Sequence, residues 1–331
     1  MSKRGAIEVQ FNWIFVLIAG AVILAFFVSV VMKQKALADD KASVIILNKL
    51  ETILTGAKES TGTVNIIEIP NRNVEFECGL YRVGNAHVNI EDKILFSPDL
   101  IKGKKLILWA LDWSIPFKIT NFLYVTHPEV RYIVVGTDSL ANQIYNDWLP
   151  DDPSFNKEIT NDASSISDLN NYRVKVIFVN ADPGDVPGLQ SVPNSRVTAI
   201  KIFGNSEKGT ISFFKKNSAG WGNDIPFTLP YLKKESIIGA IFAQDAERYQ
   251  CAMDNAMTKA GIISTIYDQR SVALAGTYGS GRCSAPHLTA SSPLPYPSTF
   301  TDTNINSIYN AEQILKSANG RAKLDSCALI Y

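Results

Sequence analysis

Residues 11–32 read FNWIFVLIAGAVILAFFVSVVM and contain no charged side chain. As a helix rising 1.5 Å per residue, this run spans roughly 33 Å, enough to cross the hydrocarbon core of a bilayer. The apolar core of a secretory signal peptide is shorter, about 7–15 residues, and a cleavage site follows it. Here the helical pattern continues past residue 32 without a break. The sequence therefore predicts a retained transmembrane helix over 11–32, preceded by a short leader over 1–10.

The chain that follows the span predicts an amphipathic stalk helix over 33–58. Apolar side chains recur there every three or four residues, at Val44, Leu47, Leu50, Leu54 and Ala57. This spacing places them on one face of a helix. Two interpretations are open. The stripe packs on the protein's own globular part, or it forms a surface for neighbouring copies of the same helix.

Basic residues flank the apolar run on both sides. Lys3 and Arg4 precede it, while Lys33, Lys35 and Lys41 follow it. The positive-inside rule counts Lys and Arg near both ends of a span, so the charges alone hardly decide the orientation. The short N-terminal tail and the cysteines of the remaining chain favour a globular part on the oxidising side. We therefore expect a single-pass protein of the cell membrane whose globular domain is extracellular.

The extreme N-terminus carries a pattern of its own. Residues 3–8 read KRGAIE and lead directly into the apolar run. This start resembles an archaeal type IV prepilin leader (the class III signal peptide), and the N-terminal run is similar to those of single-span archaeal membrane proteins. The resemblance implies cleavage between Gly5 and Ala6, with the retained helix forming the packing core of a filament. It also implies an assembly role for Glu8, because a carboxylate within the membrane is energetically unfavourable unless it is paired.

The globular part, residues 60–331, predicts an α/β fold with a mixed sheet, carried on the long helix. Its first part, 60–115, is β-rich, since apolar and polar residues alternate as in a half-buried strand. In the second part, 116–331, short apolar runs are followed by a capping residue and a helical pattern, the signature of a parallel α/β sheet. Predicted strands are 63–69, 74–83, 86–96, 105–113, 131–136, 172–180 and 237–243.

The remaining elements are a hairpin, several helices and two long connections. The hairpin joins 197–203 to 210–215, and helices are predicted to end near residues 148 and 259 and to span 262–275 and 305–319. Residues 150–170 are polar and predict an exposed connection. Residues 276–303 contain three glycines and four prolines at 286, 293, 295 and 297, which predicts a long irregular segment. Such a segment is either functional or pinned by a cross-link.

Composition excludes some classes of protein. The 331 residues are 46% hydrophobic, too apolar for a disordered chain, and 32 basic residues balance 32 acidic ones. A net charge of zero argues against a nucleic-acid partner held by a broad basic field. Nucleotide-binding, zinc-protease, EF-hand and serine-hydrolase motifs are absent from the sequence, so we expect no cofactor and have no reason to propose a catalytic residue.

The four cysteines, Cys78, Cys251, Cys283 and Cys327, allow three pairings. If the globular part is outside, at least one disulfide is expected, and it would pin a segment without a core of its own. Cys251 with Cys283 or with Cys327 is the favoured pairing. Cys283 lies four residues before His287, but the intervening proline spoils a helical alignment, so a structural cysteine is favoured over a nucleophile.

Three carboxylates follow predicted strand ends, where open α/β sheets place their ligands. They are Asp138, Asp182 and Asp245. If they converge, they form an alternative site that binds a cation or acts in acid–base chemistry. Helix caps for Asp138 and Asp245 and a turn for Asp182 are the favoured roles. The histidines His87 and His127 lie in apolar surroundings and are expected to be satisfied core or surface imidazoles.

Together these features favour a single-pass, membrane-anchored surface protein with a structural or interaction role, similar to a pilin-like subunit or anchor. Its expected partners are the lipid bilayer, other copies through the N-terminal helix, and other membrane or surface proteins. The alternative is a membrane-tethered enzyme or ligand-binding receptor that uses the strand-end carboxylates.

Overall fold

The computed structural model describes residues 4–90, 92–166, 173–218, 220–291, 296–297 and 299–331. Gly5, Ala6 and Glu8 belong to the helical backbone, whereas the side chains of Ala6 and Glu8 lie outside the described part. A long N-terminal helix leads into a domain of helices and mixed sheets, which confirms the predicted α/β fold. Residues 60–331 are called the head below.

Helix α1 (Arg4–Glu59) unites the predicted span and stalk in one element of 56 residues, about 84 Å long. Among the described residues, it is the helix that is long and apolar enough to cross a membrane, by length and composition. Most of its large apolar side chains between residues 13 and 32 are exposed, Trp13 to 74%. The other described residues of the chain therefore provide no cover for this half of the helix.

The second half of α1 packs on the head. Its buried side chains are Ser43, Ile46, Leu47, Leu50, Leu54 and Ala57. Val44, which the sequence placed in the stripe, is 46% exposed instead. Ser43 and Ile46 are buried in place of Val44. Since each residue advances a helix by about 100°, the buried face is rotated slightly from the predicted one. The stripe thus packs on the protein's own domain.

The β-rich part extends to residue 126 and forms two sheets. Its strands are β1 (Asn65–Glu68), β2 (Val74–Glu77), β3 (Leu80–Val83), β4 (Ala86–Asn89), β5 (Ile94–Phe96), β6 (Leu100–Ile101), β7 (Lys105–Ser114) and β8 (Lys118–Thr126). One sheet has the order β4-β3-β2-β6, and the other has the order β1-β7-β8-β5. Apolar side chains of both sheets form one core with the buried face of α1.

The rest of the head is built on a seven-stranded sheet. Its elements are β9 (Val130–Val135), α2 (Ser139–Gln143), β10 (Asn156–Thr160), β11 (Arg173–Val179), β12 (Val197–Gly204), β13 (Lys208–Asn217), β14 (Gly220–Asn223), β15 (Leu229–Leu232), α3 (Lys233–Phe242), α4 (Ala246–Tyr278), α5 (Ser284–Ala290) and α6 (Asp302–Leu324). The order is β10-β9-β11-β12-β13-β14, and β15 also pairs with β13. The first four strands are parallel, and the hairpin of β12 and β13 is antiparallel, as predicted.

An aromatic core joins this sheet to the helices. The indole of Trp109 on β7 packs edge-on against the ring of Phe242 on α3, with ring centroids 4.6 Å apart. Tyr132 on β9 stacks on Phe155 and also contacts Phe242. The contacts from β7, β9 and α3 tie the β-rich part to the seven-stranded sheet through one shared core.

Several predicted elements are wrong. The predicted strand 74–83 is divided into β2 and β3, and 86–96 is divided into β4 and β5. The predicted helices that end near 259 and span 262–275 are the single helix α4. Residues 237–243 belong to α3 and its C-terminal cap, because a short apolar run is compatible with a buried helix as well as with a buried strand. The exposed connection 150–170 contains β10, a partly buried edge strand; its residues 167–170 lie outside the described part. In the irregular segment 276–303, α4 continues to Tyr278 and α5 follows, while 292–295 and 298 lie outside the described part.

Candidate functional site

The junction between α1 and the head is built around a buried ammonium group. Lys93, in the loop before β5, is only 4% exposed at its side chain, and its Nζ donates to Glu51 Oε1 on α1 at 2.5 Å and to Asp92 Oδ1 at 3.0 Å. The hydroxyl of Tyr81 on β3 donates to the other oxygen of Glu51. Burial alone would raise the pKa of Glu51, but the bonds from Lys93 and Tyr81 outweigh it and lower that pKa.

Further polar contacts extend the junction along α1. Arg72 pairs with Asp39 at 2.7 Å, at the end of the packed half that adjoins the apolar half of α1. At the other end, Lys58 Nζ donates to Asp92 Oδ2 at 3.2 Å. The side-chain amide of Asn121, on β8, donates to the main-chain carbonyl of Lys58 at 2.5 Å. The packed half of α1 is therefore fixed to the head at both of its ends.

Two disulfides cross-link the head. Cys78, just after β2, bonds to Cys251 on α4, and Cys283, just before α5, bonds to Cys327 in the C-terminal tail, with Cα–Cα distances of 6.0 and 5.5 Å. The favoured pairing of Cys251 with Cys283 or Cys327 is therefore wrong. The reason is that α4 is one continuous helix, which separates residue 251 from its C-terminal end by about 40 Å. The second disulfide pins the segment after α4, as expected of a cross-link there.

The carboxylates predicted for the alternative site have local partners. Asp138 caps α2, with Oδ1 accepting from the Ala141 amide at 2.8 Å, and Asp182 pairs with Lys201 at 2.5 Å. Asp245 caps α4 through the Arg248 amide at 3.0 Å and follows helix α3, so it is not at a strand end. Among the described residues, no three His, Cys, Asp or Glu side chains are grouped to hold a metal ion.

A lysine missed by the sequence analysis is buried beneath α3. Lys175 on β11 is almost fully enclosed, and its Nζ donates to the Ala243 carbonyl at 2.8 Å. Burial lowers its pKa to about 7, against a weaker opposing effect of Asp245 and Asp224. An ammonium group at the C-terminal end of a helix binds carbonyls that have no partner within the helix. A lone lysine within the apolar run 172–180 was the only signal in the sequence.

A polar pocket opens at the amino ends of β9, β11 and β12. It has a volume of about 320 Å³, and its lining includes Lys102, His127, Glu129, Arg173, Ser195 and Arg196. His87 is exposed. His127 is buried, and neither of its ring nitrogens has a hydrogen-bond partner among the described residues. The expectation of a satisfied imidazole is therefore wrong for His127. Burial, together with the charge of Arg173, lowers the pKa of His127 to about 4.

No protein-family model, no curated protein and no solved structure matches this chain. Three features of the structure bear on the function of the protein. The uncovered half of α1 offers an apolar surface. The junction joins that helix to the head through ion pairs and hydrogen bonds. The pocket at the amino ends of the strands offers cationic and imidazole groups. The first two features are compatible with a membrane anchor, and the third offers polar groups that can bind a ligand.

Proposed function

We propose that the protein is a single-pass, membrane-anchored surface protein with a structural or interaction role, similar to a pilin-like subunit or anchor. One observation carries the proposal. Helix α1 is uncovered and apolar over residues 13–32 and packed on the head over the second half of the same uninterrupted helix. Lipid or other apolar helices would bury the first half, while the second half holds the head in place.

The junction supports a mechanical role. Because Lys93 and Glu51 link the head to α1 in the middle of the packed half, force on the head passes directly into the helix. A flexible tether would contain glycine, proline or polar linker residues between anchor and head. Here the apolar half and the packed half of α1 belong to one helix, with no glycine or proline over residues 33–55.

The two disulfides support a head on the oxidising side of the membrane. Disulfides persist outside the cytosol, where thiols are not kept reduced. All four cysteines are paired within the described part of the chain. An extracellular head would present its sheets and helices to other surface proteins or to other copies.

The experiment is an intact mass with N-terminal peptide mapping on protein extracted from native membranes without reductant. A chain that begins at Ala6 supports peptidase processing and the pilin-like form of the proposal. A chain that begins at Met1 or Ser2 reduces it to a plain anchor. Two disulfides lower the mass by four hydrogens, whereas four free thiols contradict the extracellular head.

Self-association is tested separately with Glu8. In membranes, cross-linking of the full chain yields oligomers if copies pack through the apolar half of α1. We expect Glu8→Gln to reduce these oligomers, since the substitution removes the carboxylate and a cationic group that pairs with it in a neighbouring copy would lose its charged partner. Glu59→Gln, at the exposed C-terminal end of the same helix, is the matched control. Equal cross-linking by both variants contradicts an assembly role for Glu8.

A further inference from the structure

The register of the parallel strands determines which residues line the pocket at their amino ends. Val130 on β9 pairs with Arg173 on β11, and Val174 pairs with Val197 on β12, so the three strands begin at one edge. His127 lies three residues before β9 begins, and Arg196 directly precedes β12. The sheet register therefore brings together groups that are far apart in the sequence.

The imidazole of His127 is an unexplained polar group in this pocket. It is 2% exposed, and within the described residues neither Nδ1 nor Nε2 has a hydrogen-bond partner. A buried polar group left without a partner costs about 1–3 kcal/mol. Such a group is rare in native structures, and a bound molecule that hydrogen-bonds to it is one explanation. A ligand in the pocket would provide that partner.

The charges around His127 define which ligand would fit. Arg173 is held in place, because its guanidinium donates to the Leu100 carbonyl at 2.8 Å and to Asp99 at 2.7 Å. The side chains of Lys102 and Arg196 are exposed at the rim and make no hydrogen bond or ion pair with other described residues. Among the described residues of the lining, Glu129 is the one carboxylate. The excess of cationic groups favours an anion with several acceptor oxygens.

We propose that this pocket binds a small oxyanion of the phosphate class, with His127 as its buried hydrogen-bonding group and Arg196 and Lys102 as its charged partners. Its volume of about 320 Å³ exceeds the size of inorganic phosphate and falls within the range of small-molecule sites. The ligand is therefore a phosphate carried on a small organic group, or the headgroup of an anionic lipid. The proposal is independent of anchoring and of assembly through α1.

The test is calorimetric titration of inorganic phosphate into the full chain, held in phosphatidylcholine nanodiscs at constant ionic strength. We expect one site per chain. Arg196→Ala removes an exposed side chain without disturbing the core and is expected to weaken binding at least tenfold. His127→Leu fills the same space without a polar group and is expected to weaken binding similarly. Arg282→Ala, which removes an exposed guanidinium elsewhere, is expected to leave binding unchanged.

Absence of binding to the wild-type chain overturns the proposal, and so does unchanged binding in Arg196→Ala. Nanodiscs that contain phosphatidic acid distinguish the two ligand sources. If a lipid headgroup occupies the pocket, these nanodiscs weaken the binding of soluble phosphate to the wild type, and the Arg196→Ala chain shows no such competition. If they have no effect, the site takes a soluble phosphate compound, and glycerol 3-phosphate should bind there more tightly than phosphate.

Discussion

Lys93 Nζ in the head lies 2.5 Å from Glu51 Oε1 on α1, and the lysine side chain is only 4% exposed. A charge removed from water in this way needs its partner, because an unpaired buried ammonium is strongly unfavourable. The pair therefore fixes both the position and the rotation of α1 on the head.

Removing the carboxylate of Glu51 should destabilise the junction. We expect Glu51→Ala to lower the free energy of unfolding by about 1–3 kcal/mol, since Lys93 and Tyr81 both lose an acceptor. The measurement is thermal unfolding of the full chain in detergent, together with proteolysis within residues 33–58. Glu59→Ala, exposed and without such a partner in the described part, is the control. Equal effects of the two substitutions would argue against the ion pair as the clamp.

The apolar contact between α1 and the head leads to a second prediction. Leu54 is fully buried, whereas Ile45, on the same packed half of α1, is 68% exposed. Leu54→Ala should lower the free energy of unfolding by about 2–5 kcal/mol, because it removes buried methyl groups and leaves a cavity. Ile45→Ala should change it by less than about 0.5 kcal/mol. Denaturant titration of both variants measures the difference, and a comparable loss in both would contradict the observed rotation of α1.

Lys175 predicts a specific dependence of stability on pH. Its pKa is about 7 in the folded chain, below its ordinary value, so between pH 7 and about 10 the unfolded chain binds a proton that the folded chain has lost. Stability should therefore rise with pH across this window. Lys175→Met keeps the length of the side chain without the charge and should remove that part of the slope. Melting temperatures of both chains at pH 6, 7, 8 and 9 test this, and parallel curves would refute it.

The disulfide between Cys283 and Cys327 should stabilise the end of the chain. It closes a loop with a sequence separation of 44, for which loop entropy gives a stabilisation of about 4 kcal/mol. Cys283→Ser with Cys327→Ser should lower the unfolding midpoint and expose the segment after α4 to protease. The same measurement on the wild type with reductant is a less specific comparison, since it also opens Cys78–Cys251. An unchanged midpoint in the double variant would show that local packing, not the cross-link, holds this segment.

Elements with a strong local pattern could be predicted from the sequence. The alternation at 74–78 correctly indicated β2, and the apolar run of 11–32 indicated the uncovered half of α1. The run at 237–243 is too short for its sequence to distinguish a buried helix from a buried strand. Its tertiary surroundings decide the outcome, with Phe242 packed between Trp109 and Tyr132.

Contacts between distant residues were harder to predict. The pairing of Cys251 depends on α4 being unbroken, whereas the sequence suggested two helices in that region. The partners of Lys93 and the surroundings of His127 depend on how strands and helices meet in space. Local spacing contains no information on either. The capping roles of Asp138 and Asp245 were favoured by the sequence, because a cap depends on neighbours three residues away.

In the proposed arrangement, α1 inserts into the membrane and the head lies outside. Protease accessibility in intact cells tests it most directly, once an alkaline wash has shown that the chain stays in the membrane. We predict that protease added outside degrades the head and leaves a membrane-bound fragment that contains residues 11–32. The segment of α1 that packs on the head, residues 43–57, should become accessible only after the head is cleaved. A chain that is released by the alkaline wash, or a head that is degraded only after the cells are permeabilised, would contradict this arrangement.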